Sequence, residues 1–303
     1  MMLQSLCKLF GDKINMNSRI LNTVLLFIFL PFLLGSLYAQ ERPLITQSPD
    51  VLEPGKVSLQ FGFDFLQDVK YPASGLRGDQ TSLGVMGIYI GLGEIVEFEM
   101  NWSAYNILSI SERTPTPLNL QLNSSGTSTS DYGDLVLSTK ILMFSEGKKR
   151  PSIAFLPGVQ LPNASAAKGI GLDSTQFYGS LLFGKHFGRL HLFSNVGLGI
   201  LSSPIEAGVQ DEVLMYGIAG IYPITSKINF ATEVAGRWNS HESATPLGTE
   251  SLSQFRAGIQ VTAVGLKWDI AGIAGLNENS PRSGITFGVS KDIQAFRKPP
   301  KKR

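Results

Sequence analysis

Cysteine is almost missing from this chain of 303 residues: the only one is Cys7. It precedes the apolar run from Ile20 to Leu37, so loss of that segment on export leaves no disulfide, thiolate metal site or cysteine nucleophile. Its place ahead of the run also excludes the lipid-bearing cysteine of a lipoprotein. An excess of charge of one sign is missing as well. Residues 1–39 carry Lys8, Lys13, Arg19 and Asp12, and the remainder holds equal numbers of basic and acidic residues. Nucleic acid as a partner requires a concentrated basic face, and the sole basic cluster is Arg297, Lys298, Lys301, Lys302 and Arg303. Beyond residue 39 no run of about twenty apolar residues occurs, which excludes a later transmembrane helix. Charged residues are only 17% of the chain while glycines number 32, a balance that fits neither a disordered nor a helical soluble protein.

The N-terminus has the features of export. Arg19 leads into the apolar run, Pro31 and Gly35 interrupt it, and Leu37-Tyr38-Ala39 offers a small residue at a cleavage point. Residues 1–39 are expected to be a signal peptide, with Met16 an alternative initiator. An exported, mildly apolar chain without spanning helices crosses a bilayer only as a closed barrel, because every backbone polar group in lipid needs a partner.

Alternation supports that reading. Between Asp131 and Leu201 four strand-like runs follow one another with links that are short, long and short. In the first, Leu135, Leu137, Thr139, Ile141 and Met143 oppose Asp134, Val136, Ser138, Lys140 and Leu142. The same period of two recurs from Lys56 onward and is clearest over 227–239, where Phe230, Val234 and Trp238 oppose Asn229, Glu233 and Arg237. The fold class expected is all-β: a transmembrane antiparallel up-and-down β-barrel of about twelve strands over residues 56–296. The long links fall at 66–79, 104–130, 162–172, 202–210, 240–249 and 276–281, and short turns separate them. Long loops would then face the exterior and both termini the periplasm. Residues 40–55 form either a periplasmic leader or a small plug. The leader is favoured, since only Leu44, Ile45, Val51 and Leu52 would anchor a plug. Residues 297–303 form a basic tail.

On the outer face aromatic residues gather toward strand ends, Phe61, Phe65, Trp102, Phe144, Phe187, Trp238 and Phe255 among them, as interfacial girdles do. On the inner face the candidates for lining a lumen are Glu97, Glu99, Asp134, Lys140, Lys185, Glu233, Arg237, Arg256, Gln260, Lys267 and Asp269, with Asp64 beside them. Charge inside a barrel needs water or a partner, and the mixture of signs is compatible with a narrow wet channel or a cross-linked, closed interior. The three histidines, His186, His191 and His241, stand near no nucleophile elbow, His-Glu-x-x-His or matched carboxylate pair. Gly169-Ile170-Gly171 lacks a following helix and a Lys-Ser/Thr pair, so it is no nucleotide loop. Neither enzymatic activity nor a cofactor or metal is expected.

With the strands placed, the chain resembles the outer-membrane β-barrel family associated with the meta-pathway of phenol degradation, whose members are often labelled transporters. The features that carry the resemblance are Arg42-Pro43-Leu44 through Pro54-Gly55-Lys56, Tyr132-Gly133-Asp134-Leu135, Arg150-Pro151-Ser152-Ile153-Ala154 through Leu161-Pro162, and Lys168-Gly169-Ile170-Gly171. The resemblance implies an outer-membrane barrel moving small hydrophobic or aromatic compounds. It brings no catalytic residues with it. Barrels of this kind usually end near an aromatic residue recognised by the barrel-assembly machinery. Phe296 or Phe287 is the candidate here, and the basic extension after Phe296 departs from that pattern. The partners expected are therefore outer-membrane lipid, a small-molecule solute and the assembly machinery. A closed barrel acting through its loops at 104–130 and 240–249 is the alternative.

Overall fold

The computed structural model describes residues 42–123, 125–205, 209–241 and 246–296. The expected signal peptide and basic tail lie outside them. The described chain is thirteen strands: β1 (Lys56–Tyr71), β2 (Leu76–Gly91), β3 (Val96–Arg113), β4 (Ser128–Asp131), β5 (Leu135–Phe144), β6 (Ser152–Leu161), β7 (Gln176–Phe187), β8 (Leu190–Ser202), β9 (Gln210–Pro223), β10 (Ile228–Asn239), β11 (Leu252–Ala263), β12 (Leu266–Gly275) and β13 (Ser283–Gln294). Apart from β4, each strand pairs antiparallel with the strands before and after it, β3 pairing with β5, and β1 pairs with β13 from Lys56↔Gln294 to Gln67↔Ser283. That last pairing closes the sheet into a twelve-stranded barrel. The thirteenth strand, β4, only extends the long-loop end of β3, whose other half pairs with β5.

Local chemistry explains the short turns. Between β7 and β8 only Gly188 and Arg189 intervene, and Gly188 has φ 61°, a left-handed conformation that a side chain would resist. Gly84 (φ 63°) sits at the register shift between β1 and β2, where Gly62 faces Val85 but Phe63 faces Leu83. This bulge lets the strand bend without turning its apolar residues inward.

The outer wall is apolar and uncovered. Phe61, Phe230, Phe255, Ile259, Ile270 and Trp268 are each 40–49% exposed although they lie within strands. The inner wall reverses this composition: Glu97, Glu99, Lys140, Glu233, Gln260 and Asp269 are buried. A soluble barrel would bury the first set and expose the second, so the solvent for this outer surface is lipid.

The strands run longer than the sequence reading at one side of the barrel. The expected loop 66–79 is mostly strand, and the connection narrows to residues 72–75. β3, at 18 residues, continues to Arg113. At about 3.3 Å per residue and a tilt near 40°, such a strand spans ~45 Å against an apolar band of ~25 Å. The surplus projects into water, which is why its side chains are polar: Arg77 there pairs with Asp68 and, at 2.9 Å, with Glu112. The first link is therefore short as well, an exception to the expected alternation of loop lengths. The connections at 104–130 and 162–172 and the β1–β2 turn bond to one another at that end of the barrel. Gln121 N–H donates to Ala167 O at 2.7 Å, Thr129 Oγ1 to Lys168 O at 2.7 Å, and Ser74 Oγ to Gly169 O at 2.6 Å.

Candidate solute pathway and its inner segment

Residues 42–55 run through the barrel, which corrects the preference for a loose leader. The segment binds opposite walls. At one side Arg42 donates from Nη2 to Thr286 Oγ1 at 3.1 Å and lies 3.4 Å from Asp269 through Nε. Next, Glu233 accepts the backbone N–H groups of Ile45 at 2.9 Å and Thr46 at 2.8 Å. Gln47 then exchanges two bonds with Asn195, its N–H to Oδ1 at 2.7 Å and its carbonyl from Nδ2 at 2.9 Å. Across the lumen, Gln47 Nε2 donates to Glu99 at 3.0 Å, and Leu52 N–H donates to Glu97 at 2.7 Å. Backbone amides aimed at buried carboxylates anchor the segment together with the Arg42 and Gln47 side chains, and Leu44 packs against Phe193, Ala219 and Ala231 of the wall. A search for hydrophobic contacts overlooks the polar anchors, although the crowd of acids on β3 and β10 demanded donors.

Two charge clusters hold this arrangement. Lys140 Nζ lies 3.1 Å from Glu97 and 3.2 Å from Glu99, and also donates to Asp50 O at 3.3 Å. Arg256 stands 3.6 Å from Glu233 and donates from Nη1 to Pro43 O at 3.0 Å. Gln260 donates to Arg42 O and accepts from Asn229 at 3.0 Å. Desolvated charges of this kind persist only when each is paired and hydrogen-bonded, and here the inner segment supplies part of the pairing. Lys267 shares the inward side of β12 with Asp269 and contributes positive charge near it.

Three sequence candidates stand elsewhere. Asp134 sits just before β5 and accepts from Asn163 N–H at 3.0 Å, Ala164 N–H at 2.8 Å and Gln160 Nε2 at 2.9 Å, so it ties down the β6–β7 loop. Arg237 lies at the long-loop end of β10, donating to Glu250 O at 2.8 Å and Gly248 O at 3.0 Å. Lys185 is misassigned to the lumen. It pairs across to exposed Leu192 and shares a strand face with exposed Leu181, while buried Leu182 and Gly184 point inward. A charge is tolerated on that outward side because Lys185 ends its strand, 2.9 Å from Glu146 and bonded to the carbonyls of the β5–β6 turn. Outside the membrane-spanning wall, that turn's Glu146 is held down to about 2 by hydrogen bonds from His186 and Lys185.

Two cavities border the inner segment. The smaller, about 260 Å³, lies beside Arg42, Gln60, Asp64, Tyr89 and Arg256. The larger, about 340 Å³, is bounded by Leu156, Tyr178, Leu182, Met215, Tyr216 and Arg237. Ile45, Thr46, Gln47 and Asn101 border both. Counting charged residues alone missed the tyrosines and Asn195. Large inward polar side chains at period two were the available signal.

No family model matches the sequence, and no curated protein matches it. Solved structures do. An outer membrane channel of Pseudomonas putida F1 superposes with a TM-score of 0.59 at 14% identity, covering 80% of this chain and 97% of that one. The NanC porin gives 0.46 at 8% identity over 80% and 99%, and the CymD monoaromatic hydrocarbon channel 0.44 at 11% over 81% and 90%. At these identities the first likeness is one of fold: the same kind of barrel, nearly end to end.

Proposed function

We propose that the protein is an outer-membrane channel for small solutes whose lumen is obstructed at rest by its own N-terminal segment. The observation that carries the reading is the pairing of an uncovered apolar outer wall with a polar interior holding two cavities that border residues 45–47. The long-loop end then faces outward and the short turns face the periplasm, with membrane lipid against Phe230, Ile259 and Ile270. The obstruction is held by hydrogen bonds to carboxylates, each of which water can replace once the segment leaves. Such a plug is reversible in a wet lumen. The larger cavity, walled in part by Leu156, Leu182, Met215 and Tyr178, favours solutes with an apolar body. This agrees with the hydrophobic or aromatic compounds implied by the resemblance to the phenol meta-pathway barrels.

Planar-bilayer recording of the refolded protein tests the reading. Wild type is expected to be closed for most of the record with brief openings, and Glu233→Gln, which weakens the segment's anchor, to raise the open fraction. Folded protein that shows neither conductance nor solute uptake in both forms would overturn it in favour of a closed barrel acting through its loops.

A further inference from the structure

The two cavities differ in charge. Arg42, Asp64 and Arg256 line the smaller one, so both signs are present. Around the larger one, Arg237 is the only charged residue among the described residues, and no carboxylate lines it. Its guanidinium is fixed by carbonyl acceptors, Glu250 O through Nε and Gly248 O through Nη2. These bonds hold the planar group in place without neutralising it, and leave three of its five N–H donors uncommitted among the described residues. The hydroxyl of Tyr178, which points inward from β7 into the same cavity, makes no hydrogen bond among the described residues either, whereas Tyr216 borders it from the outer face of β9, beside exposed Leu214 and Ile218. The rest of the wall is largely apolar, with Leu156, Leu182 and Met215 in it.

We propose that this cavity is a binding site for a small monoanion with an apolar body, a carboxylate whose head meets Arg237 and whose hydrocarbon part lies against Leu182 and Met215. The site rests on the channel reading for its biological use, as the station a solute occupies before the inner segment yields. Its volume is at the lower end of the range that encloses small-molecule ligands. The carboxylate of Glu250 acts on this guanidinium from behind, held by Gly248 N–H at 2.8 Å, but it does not line the cavity, so on the cavity side the charge meets no carboxylate until an anion arrives. A neutral solute of equal size gains the apolar contacts alone. Discrimination follows from the desolvated charge: a carboxylate facing a fixed guanidinium gains a charge-assisted, bidentate contact that a hydroxyl does not make.

The test is calorimetric titration of the purified full chain in detergent with cyclohexanecarboxylate and its neutral counterpart cyclohexylmethanol, each corrected against empty micelles. Wild type is expected to bind the acid saturably and at least tenfold more tightly than the alcohol. Arg237→Gln should remove that preference, Arg237→Lys should restore part of it, and Leu182→Trp, which fills the cavity, should weaken both ligands. Heat-modifiable migration in gels confirms that each variant is folded. Equal binding of acid and alcohol by wild type, or an unchanged preference in folded Arg237→Gln, would overturn the proposal. The channel reading fails separately: conductance without acid binding removes this site and keeps the channel, whereas acid binding without conductance or uptake keeps the site and removes the channel.

Discussion

Replacing Glu233 by glutamine isolates the anchor of the inner segment. The wild-type carboxylate accepts two backbone N–H groups, from Ile45 and Thr46, and offsets Arg256 at 3.6 Å. Glutamine has the same shape but one acceptor oxygen, so one N–H meets an amide NH₂ instead, and the second bond loses its charge. Hydrogen bonds to charged groups contribute about 1.5–3 kcal/mol each. Losing one and weakening the other costs the docked segment ~3 kcal/mol, a rise of about a hundredfold in the undocked fraction at 1.4 kcal/mol per factor of ten. The barrel wall is less affected, because Glu233 faces the lumen and its backbone ladder to Ala219 and Arg256 stays intact. The assay is the labelling rate of Thr46→Cys by a membrane-impermeant maleimide, in a Cys7→Ser background that leaves no other thiol. Thr46 is 4% exposed, so labelling reports undocking. A slow baseline and a rate about a hundredfold higher with Glu233→Gln are expected. Rapid labelling at Thr46→Cys alone, or a rate that Glu233→Gln does not change, would refute the reasoning.

Further outcomes follow from other parts of the barrel. Ile270→Arg places a charge in the middle of the lipid-facing wall and should destabilise the protein in bilayers by about 2–4 kcal/mol, read from urea unfolding; a change near zero contradicts lipid exposure there. Lys140→Met leaves Glu97 and Glu99 facing one another without their shared cation and should cost about 3–5 kcal/mol, seen as a lowered midpoint in the same assay. A Cβ at Gly258 would lie 2.1 Å from Ile270 O, so Gly258→Val should impair refolding yield, whereas Gly272→Val, where nothing lies within 4 Å, should not. The lowered value of Glu146 means its pairing with Lys185 and His186 stabilises the folded form above the unfolded value near 4.5, and that stability is lost as pH falls toward about 2. The difference in stability between wild type and Glu146→Gln should therefore shrink on acidification over that window. A difference that grows would contradict the pairing.

Strand positions were legible wherever the membrane enforces alternation. Along β10 every lipid-facing residue is apolar or Thr and every inward one small or polar, so its expected start at Lys227 falls one residue from the observed one. Alternation weakens where strands leave the bilayer. Asp68, Pro72 and Gly75 looked like a loop, yet they belong to the end of β1 and its tight turn, because water tolerates polar residues on both faces of a projecting hairpin. Lys185 was misplaced for a related reason: charge was equated with the lumen, whereas a strand-end lysine reaches the interface and finds Glu146. The lumen's charges were visible one by one, but not their partner. The partner is a proline-broken segment held in large part through its main chain, and main-chain donors leave no mark in residue type.

The most direct measurement of the central claim is a nitroxide scan along residues 228–235 of β10 in liposomes, recording collision with dissolved oxygen. Labels at 228, 230, 232 and 234 should show high accessibility, and those at 229, 231, 233 and 235 low accessibility, with a period of two across the strand. Low accessibility on both faces would mean that the apolar wall is covered by protein, and would contradict a barrel whose outer surface is solvated by lipid.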